Sequence, residues 1–408
     1  MYGILGESLP HTLSPFLHRE LWNCQYRKLE MSRDKAEEFI RLRQFDGINV
    51  TIPYKKTAFD CCDVLSDTAK RVGCVNTVIS KNGVLYGYNT DYHGFYSLSR
   101  SIGVDFDRKK VVILGSGGTY LTAKAVCEDN GARETVCISR SGENSYSDIS
   151  KHYDADIIIN TTPVGMYPDN DAQPLDLSKF QKLSAVIDVI YNPLKTRLVL
   201  QAEELGIKAI GGLEMLVSQA AASAELFSGQ KISNEKQEAV YKKLKKRTEN
   251  IVLIGMPGCG KTTLGKIVGK ILNKPFYDTD REIVFKENMS VEDIFKAKGE
   301  EYFRDAESTV ISELSKKTGA VIACGGGSIL RKENRIRLCQ NGRIYFINRK
   351  LDKLSTKGRP LSNGDGALER LYSQRAKIYR SLCDKEIFSN QEIDSCASEI
   401  VEDFSGQA

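Results

Sequence analysis

The stretch IVLIGMPGCGKTTLGK, residues 251–266, decides the fold of the second half of the chain. Its apolar start reads as a strand, its glycines as a turn, and Lys-Thr-Thr as the opening of a helix. Gly255, Gly260, Lys261 and Thr262 keep the spacing G-x-x-x-x-G-K-[ST]. In such a loop backbone N–H groups wrap phosphates, the lysine reaches the outer phosphates and the hydroxyl holds Mg²⁺. Gly258, Gly260, Lys261, Thr262 and Thr263 are therefore expected to bind ATP, with Thr262 also on the metal.

Residues 111–124, VVILGSGGTYLTAK, repeat the strand, glycine turn and helix start with different chemistry. Gly115, Gly117 and Gly118 suit a dinucleotide-binding βαβ turn, although Tyr120 fills the third small position. The next strand, TVCIS, leads to Arg140, where an NAD-binding unit carries an acid; a guanidinium suits the 2′-phosphate of NADP. Asn144 adds no second charge.

Other strand-like runs are YGILG, GINVTI, ADIIIN, SAVIDVIY, AVIACGG and GRIYFIN, separated by helical patterns. That alternation predicts α/β architecture with mostly parallel sheets. The polar stretch SGQKISNEKQEAVYKKLKKRTEN, residues 228–250, lacks strand signals and ends in a basic run, which reads as a solvated helix end. It places a domain boundary near residue 247.

A length of 408 residues implies two or three domains, and 41% hydrophobic with 27% charged residues fits globular cores. A net charge of +5 suits small anionic ligands and lacks the concentrated basic footprint of nucleic-acid binding. The eleven cysteines show no C-x-x-C pair, and no histidine among His11, His18, His93 and His152 has metal-ligand spacing. Without a signal peptide pattern or a membrane-length apolar run, a cytoplasmic protein with small-molecule substrates is expected, free of nucleic-acid or membrane partners.

Downstream of the phosphate loop, PFYDTD reads as a strand whose Asp278 and Asp280, two apart, share a face and reach the phosphate end of the sheet. One of them suits Mg²⁺ and the other a substrate hydroxyl. Phe303-Arg304, the triplet Gly325–Gly327, Gly358-Arg359-Pro360-Leu361, and Arg375 four residues before Tyr379 follow. This ordered set resembles shikimate kinase across residues 250–390. The resemblance implies that Arg304, Gly326 and Arg375 hold the substrate carboxylate, that Asp280 grips its hydroxyls and acts as base, which leaves Asp278 to Mg²⁺, and that Arg359 closes on ATP from a lid. The segment before Arg359 is shorter than is usual in that family, and Ser362 follows Leu361 where a second leucine is common.

In the first half, SLPHTLSP, GINVTIPYKK, GCVNTV, GYNTDYHGF, NTTPVGM, DVIYNP and GGLEMLVSQAA occur in that order. They resemble shikimate dehydrogenase from residue 2 to about 230. The resemblance implies reduction of the ring ketone of 3-dehydroshikimate by NADPH. Lys55 and Asp91 match its catalytic pair, and Thr12, Ser14, Thr51, Asn76, Tyr191 and Gln219 its substrate contacts. Ser139, Gly212 and Met215 join Gly115, Gly117, Gly118 and Arg140 at the cofactor. The domains expected are a substrate domain over 1–95 completed by helices in 212–247, a Rossmann-like domain over 96–211, and a P-loop kinase domain over 248–408. Two consecutive reactions of aromatic biosynthesis on one chain are the function implied. A quinate-type dehydrogenase fused to another P-loop kinase, or a sensor keeping both folds, are the alternatives.

Overall fold

All nine apolar runs form strands, because Val, Ile and Leu suit the pleated, buried surface of a sheet. The structure is a computed structural model and describes residues 1–10, 12–140, 142, 144–355, 366–389 and 392–406. Its described residues fall into two compact units.

Unit 1 comprises residues 1–166, 172–191 and 201–243. Its first sheet contains β1 (Tyr2–Gly6), β2 (Tyr26–Glu30), β3 (Gly47–Val50), β4 (Val64–Leu65), β5 (Thr77–Lys81) and β6 (Val84–Tyr88), in the order β2-β1-β3-β5-β6-β4. Helices α1 (Ser14–Trp22), α2 (Arg33–Leu42), α3 (Lys55–Cys61), α4 (Asp67–Val72) and α5 (Thr90–Ser101) accompany it. The sheet is mixed: β3 pairs with β5, and β5 with β6, antiparallel. The β5–β6 turn is Asn82-Gly83, with φ of 53° and 77°. Two positive φ values in a two-residue loop match the right-handed twist of a hairpin, and Asn-Gly tolerates them at least cost. The expectation of mostly parallel pairing holds for the other sheets.

The second sheet is parallel throughout: β7 (Lys110–Leu114), β8 (Glu134–Ile138), β9 (Ile157–Asn160), β10 (Ala185–Asp188) and β11 (Lys208–Ile210), in the order β11-β10-β9-β7-β8. The chain order reverses at β7, which has β8 on one side and β9 on the other. In open α/β sheets ligands bind at such a switch point, outside the carboxyl ends of the strands. Helix α6 (Gly118–Asp129) starts there; α7 (Arg197–Glu204) and α8 (Leu213–Ser228) follow. Helix α8 lies hard on α5. A Cβ at Gly94 would stand 2.7 Å from the Met215 carbonyl oxygen and 3.0 Å from the Gln219 Cβ, so only glycine permits this approach.

Helix α9 (Asn234–Thr248) leads directly to β12 at Asn250. Unit 2 holds the third sheet, also parallel: β12 (Asn250–Ile254), β13 (Phe276–Asp278), β14 (Val321–Ala323), β15 (Gly342–Asn348) and β16 (Lys385–Phe388), in the order β13-β14-β12-β15-β16. Its helices are α10 (Lys261–Ile271), α11 (Thr279–Glu287), α12 (Val291–Ser315), α13 (Lys332–Asn341), α14 (Ala367–Leu382) and α15 (Ile393–Ser405). Ile251, Leu253, Ile322, Phe346 and Tyr379 are central in its core. Two short earlier segments, 167–171 and 192–200, belong to this unit. Arg337 of α13 grips Asp171 with two hydrogen bonds, of 3.1 and 2.9 Å. The Lys195 N–H donates to the Gln340 carbonyl at 2.9 Å. No helix among the described residues is long and apolar enough to cross a membrane.

Candidate active sites

In unit 1, Lys55 opens α3 directly after the β3 loop, and Asp91 lies in the first turn of α5, whose Asn89 side chain caps the Tyr92 N–H. The Lys55 ammonium donates to Asp91 at 2.5 Å, with both side chains largely shielded. Desolvation pulls the lysine pKa down, but the Asp91 charge and hydrogen bond outweigh it and the net shift is upward. The pair is therefore held as an ammonium–carboxylate. The neighbouring Lys56 pairs with Asp60 on the surface, which separates the two adjacent lysines by role.

Asn76 is buried one hydrogen bond from Asp91's neighbour: the Thr90 N–H donates to its oxygen at 2.8 Å. Ser14 and Thr12 sit together at the start of α1, the Thr12 hydroxyl donating to Ser14 at 3.2 Å. Thr51 follows β3, and its N–H donates to the Leu5 carbonyl. Gln219 on α8 donates to the Leu216 carbonyl at 2.8 Å. Tyr191 is half-buried, and desolvation raises its pKa.

The glycine turn comes to the same place. A Cβ at Gly118 would stand 3.8 Å from the Lys55 Cδ, so the N-terminus of α6 opens beside the lysine. The first turn of α6 contains no acid, and a Cβ at Gly117 would meet nothing within 4 Å. An uncapped helix N-terminus with free space before it suits a phosphate. The Ser139 hydroxyl is buried without a hydrogen-bond partner among the described residues, and Arg140 beyond it is exposed. These features fit a dinucleotide with a charged ribose phosphate. Tyr120 packs half-buried against the core of this sheet, with its hydroxyl beside Cys137. Gly212, the N-cap of α8, donates its N–H to the Ile190 carbonyl, with Met215 in the first turn beyond it.

In unit 2 the loop from Gly255 to Gly260 joins β12 to α10. Gly258 has φ +83°, and a Cβ there would meet the Ser355 carbonyl oxygen at 2.3 Å, so both conformation and space demand glycine. Lys261 is buried and donates to the Gly255 and Met256 carbonyls at 2.9 and 3.0 Å. The Thr262 hydroxyl donates to Asp278 at 2.6 Å, which puts both expected Mg²⁺ ligands together. No group of three or more His, Cys, Asp or Glu side chains among the described residues could hold a metal. An ion at Thr262 and Asp278 would thus draw its other ligands from phosphate and water, as Mg²⁺ commonly does.

The placement of the two carboxylates corrects the strand argument. Strand β13 ends at Asp278, and Asp280 lies in the first turn of α11. Asp278 is the N-cap, accepting from the Asp280 and Arg281 N–H groups at 3.1 and 3.2 Å. An Asp that can satisfy two orphan helix donors starts a helix where alternation alone extends the strand.

Asp280 still faces the triplet: a Cβ at Gly325 would stand 2.7 Å from both its Oδ1 and the Glu307 Oε1. Burial first, then the Glu307 and Asp278 charges, push the Asp280 carboxyl up to about 6. Arg304 is buried, donates to Glu307 at 2.8 Å, and lies against the Gly327 backbone. The Tyr379 hydroxyl donates to the Gly326 carbonyl at 2.5 Å. Arg375, one turn before Tyr379, is 3% exposed, and its Nε has no partner among the described residues. A buried guanidinium with a spare donor is suited to an anion. Arg359 lies outside the described residues.

Glu307 is a site residue that the motif reading missed. It is 1% exposed and accepts from Arg304 and from the Ser328 hydroxyl, at 2.8 and 2.6 Å. Its position three residues after Arg304, on one helix face, is the signal that could have found it. If Asp280 takes the proton from the substrate hydroxyl, phosphorylation requires its ionised form. The kinase rate is then expected to fall as pH drops through about 6. A pH profile of phosphorylation alone, with nucleotide and Mg²⁺ saturating, checks this; a flat rate down to pH 5 would remove Asp280 as the base.

These two constellations define the class: a dinucleotide-dependent α/β oxidoreductase unit and a P-loop phosphotransferase unit on one chain. The family model for the shikimate dehydrogenase substrate binding domain matches residues 4–78, and the shikimate kinase model matches residues 257–405. A shikimate dehydrogenase (NADP(+)) of Clostridium perfringens is 32% identical over 268 residues, covering 60% of this chain and 99% of that protein. One from Caldicellulosiruptor bescii is 36% identical over 245 residues, 53% of this chain and 85% of its own. Among solved structures, a chorismate mutase/shikimate 5-dehydrogenase fusion protein from Clostridium acetobutylicum has a TM-score of 0.57 at 33% identity, covering 60% of this chain and 97% of that one. The shikimate 5-dehydrogenase from Thermus thermophilus, solved with NADP(H) and shikimate, gives 0.54 at 27% identity, covering 59% and 98%. The chain belongs to the shikimate dehydrogenase family, and its C-terminal region is a shikimate kinase domain.

Proposed function

We propose that unit 1 reduces 3-dehydroshikimate to shikimate with NADPH, and that unit 2 phosphorylates shikimate with ATP and Mg²⁺. The observation that carries this reading is the Lys55–Asp91 pair at 2.5 Å beside the opening of α6, on the same chain as a P-loop followed by Asp280, Arg304 and Arg375. NADPH, when bound, supplies hydride. Lys55 then gives a proton to the oxygen of the reduced carbonyl, and Asp91 keeps Lys55 protonated and oriented. Asn76, Thr12, Ser14, Thr51, Tyr191 and Gln219 hold the ring substituents. Gly115, Gly117, Gly118, Ser139, Arg140, Gly212 and Met215 hold the dinucleotide.

In unit 2 ATP, when bound, supplies the phosphoryl group. Asp280 accepts the substrate hydroxyl proton, and Arg304, Arg375 and the Gly326 backbone hold the carboxylate. Lys261 neutralises phosphate charge, Gly258, Gly260 and Thr263 line the loop, Thr262 and Asp278 hold Mg²⁺, and Arg359 reaches the phosphates. We assign residues 1–95 with 212–247 to the substrate domain, 96–211 to the cofactor domain and 248–408 to the kinase. A cytoplasmic setting is supported by the eleven cysteines, none of which is in a disulfide. The test supplies the purified chain with 3-dehydroshikimate, NADPH and Mg-ATP. Shikimate 3-phosphate should form; release of unphosphorylated shikimate alone, or reduction of quinate-type ketones in preference, would overturn the reading.

Arg140 should decide the cofactor. A guanidinium pairs with a 2′-phosphate through charge-assisted hydrogen bonds. At about 1.5–3 kcal/mol for such a bond, Arg140→Ala is expected to weaken NADPH by roughly 10- to 100-fold. NADH should change little. Equal losses for both cofactors, measured by titration in the reduction assay, would show that Arg140 does not read the 2′-phosphate.

A further inference from the structure

Behind Asn76 lies a buried chain of polar side chains that no step above uses. It begins on α1, where the Trp22 indole N–H donates to His18 Nδ1 at 3.0 Å. Indole nitrogen can only donate, so Nδ1 must accept. His18 is 1% exposed, and burial holds its pKa down at about 3, so the ring is neutral under working conditions. Its proton therefore sits on Nε2, which donates to Asn49 Oδ1 at 3.2 Å. Stacking on Tyr26, with ring centroids 4.0 Å apart and planes at 7°, fixes the ring. The Tyr26 hydroxyl donates to the same Asn49 oxygen at 2.5 Å.

With its oxygen filled by two donors, Asn49 must turn its nitrogen the other way. Nδ2 donates to Thr77 Oγ1 at 2.9 Å and Ser223 Oγ at 2.8 Å. Ser223 passes its hydrogen to the Gln219 carbonyl at 3.0 Å. Thr77, having accepted from Asn49, donates to Asn76 Oδ1 at 3.1 Å. That oxygen also accepts the Thr90 N–H at 2.8 Å and the Thr90 hydroxyl at 3.2 Å, which fills it. Asn76 Nδ2 gives one hydrogen to Thr90 Oγ1 at 3.0 Å, and its second has no acceptor among the described residues.

We propose that His18 is a positioning residue: through a one-way hydrogen-bond chain over Asn49 and Thr77 it fixes the Asn76 amide so that Asn76 meets the substrate only as a donor. The substrate group it selects is an oxygen that accepts, a hydroxyl turned to accept or a carboxylate. A free Asn side chain would offer oxygen or nitrogen with similar ease. This rests on the assignment of Asn76 as a substrate contact.

The test uses the full chain in shikimate oxidation with NADP⁺. His18→Phe keeps the stack on Tyr26 and removes the donor to Asn49. Thr77→Val keeps shape and removes the hydroxyl that ties Asn49 to Asn76. Both should raise the KM for shikimate roughly tenfold, about the worth of one hydrogen bond, with the KM for NADP⁺ unchanged. His18→Gln, which again carries an acceptor beside a donor, should restore the wild-type KM. If His18→Phe does not fold, Thr77→Val carries the comparison. Folded variants with an unchanged KM for shikimate, while Asn76→Ala raises it, would overturn the positioning role alone. An unchanged KM in Asn76→Ala would instead overturn the substrate contact itself, and the proposal with it.

Discussion

Replacing Lys55 with alanine is expected to cut ketone reduction by roughly 10²- to 10⁴-fold, the usual contribution of a positioned proton donor, while phosphorylation proceeds at the wild-type rate. Asp91 sets the size of the loss. Its carboxylate holds the ammonium at 2.5 Å and keeps it charged against desolvation, so the proton is in place when the oxygen needs it. Water entering the gap left by alanine would be a far weaker acid and would not be oriented. The variant also strands a shielded carboxylate, so Lys55→Met, which refills the volume, serves as its companion. Reduction is followed through NADPH consumption and phosphorylation through ADP release on one preparation. If either variant lost both activities while keeping its melting temperature, the assignment of one chemistry to each unit would fall.

The parts of this protein legible in its sequence are those whose physics is local. The loops at Gly115 and Gly255 could be read because strand, turn and helix start lie within sixteen residues, and phosphate binding needs only backbone and a few side chains there. The central strands of the two parallel sheets announce themselves by continuous apolar runs, whereas the short edge strands β11, KAI, and β16, KEIF, do not. The β5–β6 hairpin was just as local, carried by Asn82-Gly83, yet its flanks SKNGVLYGY are too polar to stand out as strands. Asp280 shows a local rule losing to another: alternation argued for strand, and an Asp278 cap started a helix first. What no window could disclose is the chain from His18 to Asn76. Its links span 31 positions to Asn49 and 174 more from Asn49 to Ser223. Only the packing of α1, β3, β5 and α8 brings them together, and only the donor count gives the chain its direction.

Asp280→Asn is expected to be the most damaging change in the kinase, lowering turnover by about 10²- to 10⁴-fold, and yet to leave the melting temperature at or above that of the wild type. Both halves follow from one environment. Burial beside Glu307 and Asp278 pushes the Asp280 carboxyl up to about 6, so at neutral pH the folded state carries a charge that its surroundings disfavour. The sign is opposite to that of an ordinary salt-bridged Asp: folding is helped as pH falls through 6 and hindered above it. An amide removes that cost and with it the proton acceptor, while the P-loop contacts of Lys261 are untouched, so ATP binding should persist. Asp278→Asn should behave differently. Asn can still cap α11, but it brings no charge to the place where Thr262 and Asp278 meet at 2.6 Å, so the Mg²⁺ needed for half-maximal rate should rise. Calorimetry, nucleotide titration and a Mg²⁺ series on the two variants separate these outcomes. Equal effects of both on nucleotide affinity, or a marked loss of stability in Asp280→Asn, would mean that the buried carboxylate is part of the scaffold and the base lies elsewhere.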